Sequence, residues 1–242
     1  INIFYNFIFL KTKLKRMKNL IYILTFVITT TAIAQNANSI NLEKQKLKQA
    51  LSYGDTNVAA ASMYAIINLE GPQSTYKDSL AYLYFKDRNY SSCFLVTNDI
   101  LKNNPNNFDL LEMQAISLES LGAYGKAVEV YETLVTKNKN NYHAYKLAGL
   151  QLALNNFEEA YTSIKKAAQL PDSGEVEVTF QVNKNFKENV NLKAAIAYLE
   201  GIIAVNLKKE SEAKVCFERA IKLFPEFVLA KNKLATLITE NN

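Results

Sequence analysis

The residues that could do chemistry in this chain are few and scattered. There is one histidine, His143, beside Asn141 and Tyr142, and there are two cysteines, Cys93 and Cys216. A lone histidine can serve as a general base, but no Ser or Cys motif accompanies this one. Its place at the start of a helical run assigns it a solvent-exposed or capping role. Metal ligation needs clustered His, Cys or carboxylates, and neither cysteine has such neighbours in sequence. Glu158-Glu159 and Glu210-Ser211-Glu212 stand near expected helix starts, where acids complement the helix dipole. The seven glycines are dispersed and form no phosphate-binding loop. The residues therefore assign no catalytic centre, no metal site and no cofactor, and the chain reads as a non-enzyme. What remains is surface chemistry, which depends on the elements that present the surface.

Those elements repeat. Small residues recur at Ala59, Cys93, Ala127 and Ala160, at intervals of 34, 34 and 33 residues. An aromatic lies three residues earlier in three cases, at Tyr90, Tyr124 and Phe157, and Gly122 and Asn155 precede the last two aromatics by two. Between these marks, apolar residues keep helical spacing, as in Leu80, Ala81, Leu83 and Tyr84, or Ala127, Val128, Tyr131, Leu134 and Val135. Polar stops end the runs, among them Asn103 to Asn107 and Leu170-Pro171-Asp172. Each unit is a helix, a short turn, a second helix and a stop. A fixed period in this range predicts a stack of small supersecondary units.

Charge is unevenly placed. The chain has 28 basic and 23 acidic residues. Five of the basic ones, Lys11, Lys13, Lys15, Arg16 and Lys18, fall in the first 34 residues, and removing them leaves 23 against 23. A neutral remainder gives no basic face for nucleic acid. The leader reads as a secretory signal that starts at Met17, with an apolar core from Leu20 to Ile28 and cleavage after Ala34 in Ala32-Ile33-Ala34. The competing reading is a retained anchor, against which the apolar run falls short of the ~20 residues of a span. No Cys follows the apolar core to take a lipid. The expected location is the periplasm or outside the cell, with membrane contact only through an uncleaved leader. Two cysteines make no disulfide scaffold. They lie in well-separated units, whereas a bridge needs α-carbons within about 7 Å, so two buried free thiols are expected.

On these residues the chain resembles a tetratricopeptide repeat (TPR) protein. The family's small residue in the first helix falls on Ala81, Ala115, Ala148, Gly201 and Ala235, and that of the second helix adds Ala213 to the four above. The resemblance covers residues 40 to 240 except one insert, and is most specific from Tyr76 to Pro171 and from Leu192 to Pro225. It departs from the family in lacking Trp, and in the earliest unit, where Thr56 replaces the aromatic and Lys46 an apolar residue. The resemblance implies an all-α fold: an α-solenoid of stacked helix-turn-helix hairpins with a C-terminal capping helix and one non-helical insert at about 173–190. The expected organisation is a leader (1–34), four repeats (40–174), the insert (175–193), a fifth repeat (194–227) and the capping helix (228–242).

In the insert, Val176, Val178, Phe180 and Val182 alternate with Glu175, Glu177, Thr179 and Gln181. That is strand periodicity. An extended loop is the first reading and a short hairpin turning at Asn183-Lys184-Asn185 the second. A third option is pairing with its copy in a homodimer through 175–190, since a lone strand offers an open edge.

The family lines a concave groove with its first helices. Here the matching residues are Asp78, Tyr82 and Phe85, then Asp109, Glu112, Ile116 and Glu119, then Tyr142 and Tyr145, then Tyr198 and Ile202. Aromatic anchors beside an acidic stripe suit a protein or peptide partner with basic or apolar side chains. Acids at Asp78 and Glu112 exclude the chaperone-tail clamps of the family, which grip carboxylates. The implied function is an exported scaffold or adaptor in an envelope assembly or secretion complex. The alternative is a carbohydrate- or small-ligand-binding envelope module, because tyrosines also stack on sugars. An enzyme sited in the insert would have Glu175, Glu177 and Glu188 but no His, Cys or Gly-rich turn to work with.

Overall fold

The structure is a computed structural model that describes residues 36–240. The leader with Met17 and the Ala34 cleavage point lies outside the described residues. Helical residues 36–53 form α1. There follow α2 (Thr56–Glu70), α3 (Tyr76–Lys86), α4 (Tyr90–Leu101), α5 (Phe108–Ser120), α6 (Tyr124–Asn138), α7 (Asn141–Ala153) and α8 (Phe157–Gln169). Strands β1 (Glu177–Asn183) and β2 (Phe186–Asn191) come next, then α9 (Leu192–Asn206), α10 (Glu210–Leu223) and α11 (Val228–Glu240). The fold is all-α, of stacked helix pairs, with one two-stranded insert. The chain divides into two compact units at Leu83, inside α3.

In the first unit, Asp55 caps α2 by accepting the Val58 N–H at 3.0 Å. Ala50, Ala59, Ile66, Leu80 and Ala81 form its buried interior. Lys44 pairs with Glu70 at 3.3 Å, and the same carboxylate accepts the Ser74 hydroxyl at 2.7 Å.

In the second unit each helix from α4 to α11 packs against its neighbours in sequence, and α7 also touches α9. Asparagines start four of the helices: Asn89, Asn107, Asn140 and Asn191 each accept a backbone N–H of the first turn. Acids occupy the first turns of α8 (Glu158, Glu159) and α10 (Glu210, Glu212), as the helix dipole favours. The turn between paired helices carries one left-handed residue each time: Arg88, Gly122, Asn155 and Lys208, with φ of 57°, 73°, 61° and 59°. The conformation recurs although the residue type does not.

Close approach depends on small side chains. Cys93, Ala115, Ala127, Ala148, Ala160 and Ala213 are all fully buried, at 0% exposure. Gly201 is tighter still, because a Cβ there would lie 2.5 Å from the Phe217 ring on α10. Ala235 differs from the other small positions in being exposed, since no helix among the described residues packs over that side of α11. Both cysteines are buried free thiols. Burial pushes the Cys93 thiol above its ordinary value and is the largest cause that takes Cys216 up to about 11.

The insert is a hairpin, which corrects the extended-loop reading. β1 and β2 pair antiparallel, with Val178 opposite Val190 and Phe180 opposite Glu188. The physical reason is pairing: once β2 lies alongside, the backbone groups of β1 have partners that a loop would lack. An irregularity between Gln181 and Asn183 precedes the turn, and Asn183 accepts the Asn185 N–H at 3.0 Å. One hairpin face lies on helices: Val190 is fully buried in a cluster with Ala194, Ala197, Ala220, Phe227 and Ala230.

Gly201→Ala tests the close approach. Alanine is the better helix former by about 1 kcal/mol. The contact with Phe217 nevertheless makes the variant less stable, by about 1–3 kcal/mol of overpacking. Urea unfolding measures this, and a gain in stability would show that the α9–α10 crossing has room to spare.

Candidate functional site

The first helices of the second unit bring most of the candidate residues to one face. Glu112, Ile116 and Glu119 stand on α5, Tyr142 and Tyr145 on α7, and all five are half-buried; Asp109, in the first turn of α5, is exposed. The tyrosines adjoin one another electrostatically. Burial pushes the Tyr145 phenol above its ordinary value, and Tyr142, Tyr198 and Glu119 push it further. Burial does the same to Tyr142, followed by the charges of Glu112 and Glu119. α7 also packs directly on α9, where Gly149 faces the Leu199 side chain, so α5, α7 and α9 adjoin in turn along this side.

Its floor is polar and largely paired. Lys146 on α7 reaches Glu119 Oε1 on α5 with a 2.6 Å hydrogen bond. His143 Nε2 lies 3.5 Å from Glu112 Oε2. His143 is only 3% exposed, which corrects its exposed or capping assignment. Asn140 does the capping, accepting the N–H groups of Tyr142 and His143, while the imidazole turns inward between the rings of Tyr131 and Tyr142. Tyr131 is fully buried on α6, and its phenol is pushed well above its ordinary value by burial and then by Glu119. Three polar atoms here are buried without a hydrogen-bond partner among the described residues: Tyr131 Oη, His143 Nδ1 and Glu119 Oε2.

The remaining candidates have other surroundings. In the first unit Asp78 and Tyr82 are exposed, Tyr82 at 60%. Phe85 packs edge-on against Tyr90, with centroids 6.2 Å apart. Tyr198 is covered by three aromatic rings: Phe180 at 5.5 Å, Phe217 at 5.8 Å and Phe227 at 4.9 Å. Ile202 packs on the cluster of Ala204, Ala213, Phe217 and Leu237. Lys146, His143, Tyr131 and Phe180 were not singled out as site residues from sequence. Their contacts join helices or link a strand to a helix; helical spacing marked Tyr131 as apolar and alternation marked Phe180 as strand, but no sequence signal showed which residues they meet.

Outside this face, Glu200 on α9 is 2% exposed and accepts Lys165 Nζ of α8 at 3.0 Å and the Arg219 guanidinium of α10. It ties three helices together. A cleft at the base of the hairpin is lined by Asp172, Glu175, Glu177 and Lys193, of which Lys193 pairs with Asp172 at 2.8 Å. Among the described residues no three His, Cys, Asp or Glu side chains converge as a metal site, and no helix is long and apolar enough to cross a membrane.

The His143–Glu112 contact predicts a pH response. The imidazole is the largest cause holding the Glu112 carboxyl below the usual carboxylate range, against the opposing effect of burial. An acid with a lowered folded pKa contributes stability that is present above its unfolded value, about 4.3. That stability is lost as pH falls through the folded value. In His143→Phe, which keeps the ring and removes the nitrogen, the Glu112 carboxyl should titrate at higher pH. Carbon-13 NMR of labelled glutamate reads this directly, and an unchanged Glu112 titration would mean that the pair does not couple.

No curated protein matches the chain. Among solved structures, it is similar to YrrB, described as a TPR protein with an unusual peptide-binding site, with a TM-score of 0.61 and 16% identity over 84% of this chain and 96% of that one. It is similar to MamA (41-end) of Desulfovibrio magneticus RS-1, with a TM-score of 0.59 and 16% identity over 78% of this chain and 97% of that one. It is also similar to a tetratricopeptide repeat protein of Parabacteroides merdae, with a TM-score of 0.59 and 18% identity over 83% and 72%. Identities this low show the fold alone. The tetratricopeptide repeat family model matches residues 194–227. That stretch, α9 with α10 and the turn after it, reads as a tetratricopeptide repeat in sequence, and the fold around it is the fold of tetratricopeptide repeat proteins.

Proposed function

We propose that this chain is a non-catalytic scaffold that holds a segment of another protein on the face formed by α5 and α7. One observation carries the reading. Tyr142 and Tyr145 stand half-buried beside the carboxylates of Glu112 and Glu119, on helices whose opposite sides already fill the core. Half-buried tyrosines supply rigid contact area at low entropy cost and are frequent binding anchors. α5 carries the carboxylates of Asp109, Glu112 and Glu119, of which Glu119 pairs with Lys146 and Glu112 lies against His143, so the face favours basic and apolar side chains in its partner. The peptide-binding site named for YrrB supports this reading by analogy of fold.

The proposal extends to place. The reading of residues 17–34 as a secretory signal puts the mature chain in the periplasm or outside the cell, as part of an envelope assembly or secretion complex. The supporting features are the basic start at Lys18, the apolar core and the Ala-Ile-Ala sequence.

Crosslinking in the native cell, followed by identification of the captured protein, supplies the partner. Its affinity for the purified chain then tests the face. Changing Tyr142 and Tyr145 together to Ala should weaken binding at least tenfold, about 1.4 kcal/mol or more, with helix content retained. Unchanged affinity in the folded double variant would overturn the assignment.

A further inference from the structure

We propose that the β1–β2 hairpin is an internal occupant of the binding face, lying over α9 and the start of α11 where a bound segment would otherwise continue from Tyr142 and Tyr145. The inference rests on the reading of α5 and α7 as the binding face.

Three observations lead to it. The first is continuity. α7 packs directly on α9, with Gly149 facing Leu199 beside Tyr198, so the helix of Tyr142 and Tyr145 adjoins the helix of Tyr198, and the charge effect of Tyr198 on the Tyr145 phenol agrees with that. The open part of that surface stops at Tyr198, because Phe180 of β1 meets the Tyr198 ring edge-on at 5.5 Å. The second is the manner of docking. Along β1, Val178, Phe180 and Val182 are half-buried while Thr179 and Gln181 are exposed. The half-buried side of the strand carries Phe180, whose ring packs on Tyr198 and Phe227, and alternate side chains on one side are how an extended segment from another chain is held. The third is a polar anchor. Glu188, only 8% exposed, accepts the backbone N–H groups of Val228 at 3.2 Å and Leu229 at 3.4 Å. Those are the orphan donors at the start of α11, where a carboxylate also meets the helix dipole. The hairpin therefore brings an aromatic plug, Phe180, and a charged acceptor, Glu188, to the end of the face, as a separate ligand would.

The consequence is a limit on partner length. A segment seated on α5 and α7 ends against Phe180, and the surface of α9 becomes available only when the hairpin leaves it.

The test uses the full chain carrying Phe180→Ala and Glu188→Gln, with a cyclised synthetic peptide of residues 177–191 as probe. Fluorescence anisotropy reads peptide binding, circular dichroism reads helix content, and hydrogen exchange reads α9 and the start of α11. The unaltered chain should bind no peptide, since its own hairpin fills the place. The double variant should keep its helix content, exchange faster at Val228 and Leu229, and bind the peptide. Adding Tyr198→Ala should then weaken that binding at least tenfold. Loss of the helices in the double variant, and equally in Phe180→Ala alone, would overturn the proposal by showing that the helices need the docked β1 strand in order to fold. Equal binding to the unaltered chain, or a doubled mass from exchange of hairpins with a second copy, would overturn it too. Each of these failures leaves partner binding over α5 and α7 standing, since that is read separately through Tyr142 and Tyr145.

Discussion

A pair of short helices has too little interior to bury its own apolar side, and every other feature of this protein follows from how neighbouring pairs supply what each lacks. The helices can share a core only where they cross closely. Side chains no larger than Cys occupy those crossings: Cys93, Ala127, Ala160 and Ala213 on the second helices, Ala115, Ala148 and Gly201 on the first, all buried. The Phe217 ring against Gly201 marks the limit of the approach. Because packing density in cores resembles that of crystals, such crossings leave little tolerance and hold the helices in one register.

That register determines what the first helices can show. The core takes the inward stripe of α5 and α7, including Leu110, Leu111, Ala115, Leu118, Ala144, Leu147 and Ala148. The residues between those positions are left on a common outer face, and they include tyrosines and carboxylates. The polar floor beneath them is joined across helices by Lys146 with Glu119 and by His143 with Glu112. Partners drawn from different helices hold the face's geometry rigidly, and rigid anchors lose less entropy when a partner binds. The hairpin obeys the same constraint. Val190 and Phe180 fill space beside Phe227, so the insert is bound to the stack by the same apolar burial that binds the helices.

The sequence made the repeating parts legible and left the joining parts hidden. Ala59, Cys93, Ala127 and Ala160 announced the period, and the structure buries all four. The turns between helices were only half legible. Gly122 and Asn155 are residues that favour a positive φ, whereas Arg88 and Lys208 adopt it because the turn geometry requires it, and their type gives no warning. The inward placement of His143 was invisible for another reason: its partner Glu112 lies on a different helix, and no spacing rule links the two. The Glu188 contact spans 40 residues to reach the α11 N–H groups, a distance at which local pattern carries no information. Ala235 shows the opposite failure. It fits the repeat by type, yet it is exposed because burial is supplied by a neighbour and not by the residue itself.

A partner held as proposed would lie on the face made by α5 and α7 and ended by the hairpin. Hydrogen-exchange mass spectrometry of the chain with and without its crosslink-identified partner tests this most directly. Slower exchange is expected in the peptides that carry α5 and α7, with α6 and α8 unchanged. Protection confined to α6, α8 and α10 would place the partner on the second helices and contradict it.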